Sequence, residues 1–473
     1  MANRLAHRRI HSTSIDFDAL RRELELPEQF PPAAQAQAEQ AATRVRLPDV
    51  DRTDLPFVTI DPPTSLDLDQ AMHLSRRDKG GFRVHYAIAD VLSYVTPGSA
   101  LDDETWRRGQ TVYLPDGNVP LHPRVLSEGV VSLLPDRDRA AILWTIDVSP
   151  DGQFESARLE RARVRSRAKL DYEFVQAAAD SKTLPDPIAV LPELGRLLIE
   201  RGLSRGALNL PMPPQEVERD GDSWRLTLRP LVPAEEWNAQ ISLLTGCAAA
   251  DIMLIGKVGL LRTMPAPPAG AVGRLRIAAK ALGITFPKVK TVGQVLASLD
   301  TTRPRAAAFV DEAAELLRGA GYTPFHGEIP ADPRHAAVAA PYAHVTAPLR
   351  RLADRYATEV CLCLHEGREV PSFVLDALPR LPDVMANSDR LAGAAERGAV
   401  DQVEAMVLAA HLGEVFPAVV LDTDERRPIA TIALDDPAVR ARCDGKLKAG
   451  TRITARLTTA DVTKRQVRFE AVG

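Results

Sequence analysis

Three carboxylates lie close together in a short, turn-prone stretch of this 473-residue chain. Asp61, Asp67 and Asp69 follow the apolar run 55–60, which predicts a strand that ends just before them. Mg²⁺ prefers oxygen ligands and usually takes one or two carboxylates, which leaves positions for water and substrate phosphate. Asp67 and Asp69 alternate, so both point to one side of an extended backbone, and Asp61 can fold back across the intervening prolines. The spacing indicates a metal site, although a surface loop rich in Asp and Pro has the same composition.

A second candidate surface is the stretch 161–169, where every odd position is basic and every even position is small or apolar. In a strand this alternation places five cations on one face, and such a stripe can follow a phosphate backbone. The alternative is a solvated sheet face balanced by nearby acids. The five basic residues are Arg161, Arg163, Arg165, Arg167 and Lys169.

Composition limits the class of protein. Apolar residues make up 45% of the chain and charged residues 26%, as in soluble globular proteins. The net charge of -4 argues against a protein that coats nucleic acid non-specifically, so any such contact must be local. Four scattered cysteines are too few for a disulfide framework or a tetrahedral zinc site. The basic N-terminus lacks the apolar stretch of a secretory signal and no bilayer-spanning run is expected, so the expected location is the cytoplasm.

The elements that must position these residues fall into three regions. Residues 1–50 predict a short helical extension, with a helix from Phe17 to Leu24 and Asp16 as its N-cap. Residues 51–410 begin strand-rich and turn helical. Residues 411–473 return to short alternating strands, predicted at 419–421, 430–434, 452–457 and 466–469, which are typical of a small barrel. The fold class is therefore predicted as α+β. The longest predicted helices cover 241–255, 273–282 and 347–365.

Further motifs follow the carboxylate run along the chain, at 84–91, 101–104, 108–115, 120–123, 165–172, 205–208, 342–354 and 395–397. Together with the carboxylate run, they resemble in type and order the motifs of the RNase II/RNase R family of exoribonucleases, whose catalytic unit is the RNB domain. Collinear matches over roughly three-quarters of the chain are far more specific than any single motif.

The resemblance implies a catalytic domain at 51–410, in which a mixed sheet and long helices enclose an RNA channel. It also implies an OB-type RNA-binding barrel at 411–473, in a short member of the family without N-terminal cold-shock domains. The expected activity is 3′-to-5′ hydrolysis of single-stranded RNA to nucleoside 5′-monophosphates. The expected cofactor is Mg²⁺, with Mn²⁺ as a second option. Single-stranded RNA is the expected partner, without a membrane or an obligate protein partner, and the protein is expected to be a monomer.

The resemblance also assigns roles to residues. Asp61, Asp67 and Asp69 would hold the metal, with turnover depending most on Asp69. Arg350 would contact the scissile phosphate, unless it forms a helix-surface ion pair with Asp354. The implied substrate-binding residues are Tyr113 on the 3′-terminal base, Tyr172 at the ribose, Glu396 near the last nucleotide, and Arg163, Arg165, Arg167 and Lys169 along the channel.

One departure from the family pattern keeps other functions open. Gln70 stands where many relatives have a fourth Asp. Its carbonyl oxygen could still ligate a metal, but the amide brings no charge and predicts a weaker site that favours Mn²⁺. A catalytically silent RNA-binding protein is therefore the first alternative. A metal-dependent phosphodiesterase acting on DNA or small nucleotides is the second.

Overall fold

The computed structural model describes residues 17–44, 46–210, 215–220, 223–228, 231–301, 303–424, 426–434, 437 and 439–472. Its α-helices are α1 (Asp18–Glu23), α2 (Pro32–Arg44), α3 (Ala100–Arg108), α4 (Tyr172–Ser181), α5 (Leu191–Arg205), α6 (Pro233–Gly256), α7 (Ala271–Leu282), α8 (Val292–Leu296), α9 (Pro304–Ala314), α10 (Leu352–His365), α11 (Ser372–Ala377) and α12 (Leu381–Ala409). Its strands are β1 (Phe57–Ile60), β2 (Gln70–Arg76), β3 (Phe82–Ala89), β4 (Val112–Leu114), β5 (Gly117–Val119), β6 (Asp138–Val148), β7 (Phe154–Leu170), β8 (Gln215–Asp220), β9 (Ser223–Leu228), β10 (Val258–Thr263), β11 (Gly321–His326), β12 (Arg334–His335), β13 (Ala340–Pro341), β14 (Val415–Thr423), β15 (Ile429–Leu434), β16 (Arg440–Asp444), β17 (Arg452–Asp461) and β18 (Gln466–Val472).

The strand-rich first half closes into a five-stranded barrel in the order β1-β2-β3-β6-β7. The strands pair antiparallel except β1 with β7, whose parallel pairing closes the barrel. Large apolar side chains are fully buried in this half, among them Trp144 and Tyr86. Because β1 ends at Ile60 and β2 begins at Gln70, the segment between them crosses one end of the barrel. That segment carries the predicted metal ligands.

The helical half packs around α6, whose buried residues include Trp237, Ile241 and Met253. Close approach to its neighbours requires glycine at Gly246, because an added Cβ would lie 2.6 Å from the carbonyl oxygen of Ala343. By length and composition alone, α6 could also cross a membrane. The sequence-based expectation of no apolar segment long enough to span a bilayer is therefore wrong by length and composition. The core helix of a soluble protein passes the same test, so the result is weak evidence.

The predicted helix 347–365 begins later than expected, at Leu352. The residues before it form a turn, since Pro348 disfavours helical backbone in the preceding residue. Backbone bonds tie this turn to another segment instead of a helix: the Thr111 amide donates to the Arg350 carbonyl at 3.0 Å, and the Leu352 amide to the Gly109 carbonyl at 2.9 Å. Arg350 therefore lies at the end of a fixed turn.

A second closed barrel forms at the C-terminus in the order β14-β15-β16-β18-β17. Phe416, Ile432 and Phe469 fill its interior and are almost fully buried. The C-terminal strands predicted from sequence fall inside β14, β15, β17 and β18, which confirms the small barrel. The predicted N-cap Asp16 lies outside the described residues, and α1 begins at Asp18 after Phe17.

Candidate active site

A cavity of about 1060 Å³ opens where the end of the first barrel meets α4, α6 and the turn before α10. All four predicted ligands, the predicted arginine and two predicted tyrosines line it, so residues far apart in sequence meet at one site. The described lining residues include Asp61, Asp67, Asp69, Gln70, Tyr113, Tyr172, Asn238, Ser242, Tyr342, Thr346 and Arg350.

Backbone contacts fix the loop that carries the carboxylates. The Asp61 amide donates to the Leu170 carbonyl at 3.1 Å, which extends the parallel pairing of β1 with β7. Further on, the Leu68 amide donates to the Ser132 hydroxyl at 2.9 Å, and Leu68 itself is fully buried. Burial of Leu68 turns its neighbours Asp67 and Asp69 toward the cavity, as the alternation predicted.

Burial perturbs the ionisation of these carboxylates. Asp69 is only 4% exposed, and burial raises its pKa well above the ordinary range. Burial and the nearby Asp67 raise the pKa of Asp61 to about 6, while Lys169 and Arg350 act in the opposite direction. Such raised pKa values are typical of functional carboxylates that are buried and held close together.

Asp69 also contacts the turn before α10. One of its oxygens accepts from the Leu349 amide at 2.7 Å, and the other lies 3.7 Å from Nε of Arg350. The expected alternative partner of Arg350, Asp354, is instead taken by Arg351 at 2.8 Å. The alternative prediction, a helix-surface ion pair between Arg350 and Asp354, is therefore wrong. The Arg350 side chain remains 44% exposed and lines the cavity.

The two predicted tyrosines both reach the cavity. Tyr113 is 49% exposed, and its hydroxyl donates to Asp67 at 3.0 Å, which leaves much of the ring accessible. Tyr172 is the first residue of α4, and Asp171 caps this helix by accepting from the Phe174 amide. The Tyr172 hydroxyl accepts a long bond of 3.4 Å from the Asn238 amide nitrogen.

Gln70 lies at the cavity but its amide already bonds to the protein at both ends. The side-chain nitrogen donates to the Thr346 carbonyl at 2.6 Å. The side-chain oxygen accepts from the Tyr86 hydroxyl at 3.0 Å. The oxygen expected to ligate a metal thus already accepts a hydrogen bond from a buried hydroxyl, and the assignment of Gln70 as a ligand stays a prediction.

The basic strand does not form a free cationic stripe. Its even residues Ala162 and Val164 are buried in the core, so the basic side chains point outward, where acids of neighbouring segments meet them. None of the five basic residues is among the described residues that line the cavity. The contacts pair Arg161 with Asp90 and Glu359, Arg163 with Asp51, and Arg165 with Asp138, while Arg167 donates to the Thr53 carbonyl and Lys169 to the carbonyls of Pro63 and Ser65.

The balanced sheet face, left open as the alternative, therefore describes Arg163 and Arg165 better than channel lining does. Lys169 differs from the arginines because it supports the carboxylate loop and lowers the pKa of Asp61. Glu396 is exposed on α12 and is likewise not among the cavity-lining residues that the structure describes. The predicted substrate-binding residues that do not line the cavity are therefore Arg163, Arg165, Arg167, Lys169 and Glu396.

Sequence reasoning missed other polar residues of the cavity. Asn238 and Ser242 stand four residues apart on α6, and the Ser242 hydroxyl lies 2.8 Å from that of Thr346. Polar residues at this spacing on an apolar helix share one face, which was a usable signal. Tyr342 and Thr346 lie within the matched block before Arg350, but no role was assigned to them.

The donor atoms at the cavity determine which metal the site could hold. In the part of the chain that the structure describes, no three His, Cys, Asp or Glu side chains are spaced to hold a metal ion. Asp67, Asp69 and Gln70 each accept a hydrogen bond from a protein group, and Asp61 and Asp67 repel each other. A divalent cation would relieve this repulsion, and oxygen-only donors suit Mg²⁺ or Mn²⁺. Because a carboxylate that accepts one hydrogen bond keeps further lone pairs, the donors fit a hard cation, which Asp61, Asp67 and Asp69 would hold.

Comparison with known proteins yields two matching families. The RNB domain matches residues 50–361, and the RNase II-type exonuclease C-terminal S1 domain matches residues 414–472. The exosome complex exonuclease RRP44 homolog A of Arabidopsis thaliana is 28% identical over 343 residues, which cover 70% of this chain and 36% of that protein. Ribonuclease R of Escherichia coli is 26% identical over 444 residues, which cover 86% of this chain and 53% of that protein. The chain thus spans about a third to a half of the length of these relatives.

Solved structures share the fold. Mycoplasma genitalium RNase R in complex with ribose methylated single-stranded RNA has a TM-score of 0.83 at 20% identity, covering 96% of this chain and 77% of that one. Yeast Ssd1, a pseudonuclease, has a TM-score of 0.70 at 17% identity, covering 89% and 54%. At such low identity these likenesses show the fold alone, and the same fold is found in a protein described as a pseudonuclease.

Proposed function

The chain belongs to the RNB-domain family, and on this premise we propose that it is a 3′-to-5′ exoribonuclease that hydrolyses single-stranded RNA to nucleoside 5′-monophosphates. One observation supports this most: Asp61, Asp67, Asp69 and Arg350 line a single cavity. Carboxylates beside an arginine and an accessible tyrosine ring provide what phosphodiester hydrolysis at a chain end needs.

In this proposal each residue has a chemical task. Asp61, Asp67 and Asp69 would hold a divalent ion, which when bound supplies an activated water and neutralises charge on the attacking and leaving oxygens. Arg350 would donate its planar fork to the non-bridging oxygens of the scissile phosphate. The water oxygen bonds to phosphorus and the bond to the 3′ oxygen breaks, so the phosphate stays on the released nucleotide.

Substrate recognition would come from the tyrosines. The accessible ring of Tyr113 would stack on the terminal base, a contact that is indifferent to sequence. Tyr172 and its partner Asn238 would together offer a donor and an acceptor to the ribose 2′-hydroxyl, the group that distinguishes RNA from DNA. This second contact argues against the DNA-directed phosphodiesterase.

The direct test uses a 5′-labelled single-stranded RNA with Mg²⁺ or Mn²⁺, resolved on a sequencing gel. We expect a ladder of shortened labelled products from the wild type and none from Asp69→Asn. Asp78→Asn, an exposed aspartate outside the cavity, is the matched control and should cleave normally. A DNA oligomer of the same sequence should stay intact, and its degradation at an equal rate would contradict the role of Tyr172.

A catalytically silent RNA-binding protein is the second candidate. The likeness to Ssd1 and the protein-bonded amide of Gln70 favour it. Under this alternative the RNA binds tightly but remains intact with both metals. Cleavage that depends on Asp69 excludes it.

We also propose that the protein acts as a monomer in the cytoplasm. All four cysteines are free, and none of Cys247, Cys361, Cys363 and Cys443 is fully exposed, which agrees with a reducing compartment. Light scattering on the purified protein tests the oligomeric state, and cell fractionation tests the location.

A further inference from the structure

We propose that Gln70 is a positioning residue that holds the turn carrying Arg350, and that it does not ligate the metal. This inference rests on the proposed function, since it assigns work within that site. The Gln70 amide forms two hydrogen bonds, and these bonds connect separate elements of the fold.

The partners of Gln70 require an amide. The Thr346 carbonyl can only accept, so the group 2.6 Å from it must be the donating nitrogen of Gln70. The carbonyl oxygen of the side chain then faces the Tyr86 hydroxyl at 3.0 Å. A carboxylate at this position could accept from Tyr86, but it would oppose the Thr346 carbonyl with a second acceptor. The glutamine is thus matched to its surroundings rather than to a cation.

The bonds of Gln70 cross between elements that are far apart in sequence. Gln70 begins β2 and Tyr86 lies in β3, both in the first barrel. Thr346 precedes the turn with Arg350, and its hydroxyl lies 2.8 Å from that of Ser242 on α6. One side chain therefore links the barrel to the turn and, through Thr346, to the central helix.

Asp69 and Gln70 together fix both ends of the turn. Asp69 accepts from the Leu349 amide at 2.7 Å, and Gln70 donates to the Thr346 carbonyl three residues earlier. The backbone between these two points can no longer shift relative to the barrel, and Arg350 follows directly. Loss of the Gln70 bond would leave one end of the turn unattached and allow the guanidinium to move away from the phosphate.

The test compares Gln70→Ala, Gln70→Glu and Tyr86→Phe with the wild type by thermal unfolding, first in chelator and then in Mg²⁺ or Mn²⁺. Positioning predicts that both Gln70 variants unfold about 2 to 4 °C lower in chelator. It also predicts the same metal-induced rise in Tm as in the wild type. Tyr86→Phe, which removes a partner without touching a metal ligand, should show a smaller fall, and the double variant Gln70→Ala/Tyr86→Phe should fall by less than the two single falls added. Asp61→Asn is the control that should lose the metal-induced rise.

Two outcomes would overturn the proposal. The first is an unchanged Tm in chelator combined with a reduced metal-induced rise in Gln70→Ala. The second is an enlarged rise in Gln70→Glu, as expected if a new carboxylate completed a metal site.

Kinetics separate positioning from general structural support. Gln70→Ala should lower kcat at least tenfold, with little change in the KM for RNA or in the metal concentration that gives half-maximal activity. A rise in that metal concentration would contradict positioning. The unfolding data in chelator need neither metal nor RNA, so an inactive or metal-insensitive wild type would count against the proposed function and leave the Gln70 result readable.

Discussion

Replacing Asp61 by Asn should stabilise the metal-free protein at neutral pH. Burial and repulsion from Asp67 raise the pKa of Asp61 to about 6, against an ordinary value of 3.8. A tenfold change in an ionisation constant corresponds to about 1.4 kcal/mol, so keeping Asp61 ionised destabilises the fold by up to about 3 kcal/mol. The amide of Asn has a similar size and carries no charge.

The sign of the effect follows from proton binding. The folded protein binds the Asp61 proton more tightly than the unfolded chain does, because its pKa is raised on folding. The destabilisation is therefore complete above about pH 6 and disappears as the pH falls toward 3.8. We expect Asp61→Asn to be more stable than the wild type by about 1 to 3 kcal/mol at pH 7.5, and by about a third of that at pH 4.5.

Urea unfolding followed by tryptophan fluorescence, in chelator and at both pH values, measures this difference. Asp78→Asn, at an exposed position, should match the wild type throughout. Added Mn²⁺ should stabilise the wild type and leave the stability of Asp61→Asn unchanged. The difference in the free energy of unfolding between the two proteins should therefore shrink or change sign. Lower stability of Asp61→Asn than of the wild type at pH 7.5 would refute the destabilisation by an ionised Asp61. An equal gain in the free energy of unfolding at both pH values would refute it as well.

Three further predictions concern single residues. Under the proposed function, Arg350→Ala should lower the single-turnover cleavage rate about a hundredfold or more while RNA binding in chelator changes little, because Arg350 lines the cavity and its donors would face the reacting phosphate; an equal loss of binding would refute this. Tyr113→Ala should weaken RNA binding by about 1 to 3 kcal/mol in fluorescence anisotropy, whereas Tyr113→Phe keeps the stacking ring and should bind almost normally. Gly246→Ala should lower the free energy of unfolding by about 1 to 3 kcal/mol in urea titrations, since the added methyl overlaps Tyr342 and Ala343; a neutral effect would show that the contact with α6 can relax.

Local pattern predicted much of the fold. The apolar run 55–60 and the alternation at 161–169 located β1 and part of β7, alternation located four strands of the C-terminal barrel, and apolar periodicity located α6 and α7. Strand β16 was missed because Arg440, Arg442 and Asp444 occupy its exposed positions and no β-branched residue marks it. The start of α10 was placed too early. Pro348 was a local signal against helical backbone in the preceding residue, but the bond of the Arg350 carbonyl to a segment about 240 residues earlier was not visible in any local pattern.

The site also divides into residues that local pattern predicts and residues whose placement depends on tertiary structure. Residue type and spacing correctly predicted that Asp61, Asp67 and Asp69 meet, because a buried leucine between two acids orients both toward one cavity. Charge alternation was a poor guide for Arg163 and Arg165, since it reports which side chains share a face but not which acids lie opposite. The partners of these arginines come from other segments and depend on tertiary structure.

The turn before α10 has a consequence for synthesis of the chain. Asp69 bonds to Leu349 across 280 residues, and the Arg350 carbonyl accepts from Thr111. An emerging polypeptide can close the first barrel while Arg350 is still missing, and contacts of such long sequence separation form late in folding. Under the proposed function, we therefore expect the nascent chain to be unable to cut RNA until Arg350 has left the ribosome and the turn has joined the barrel.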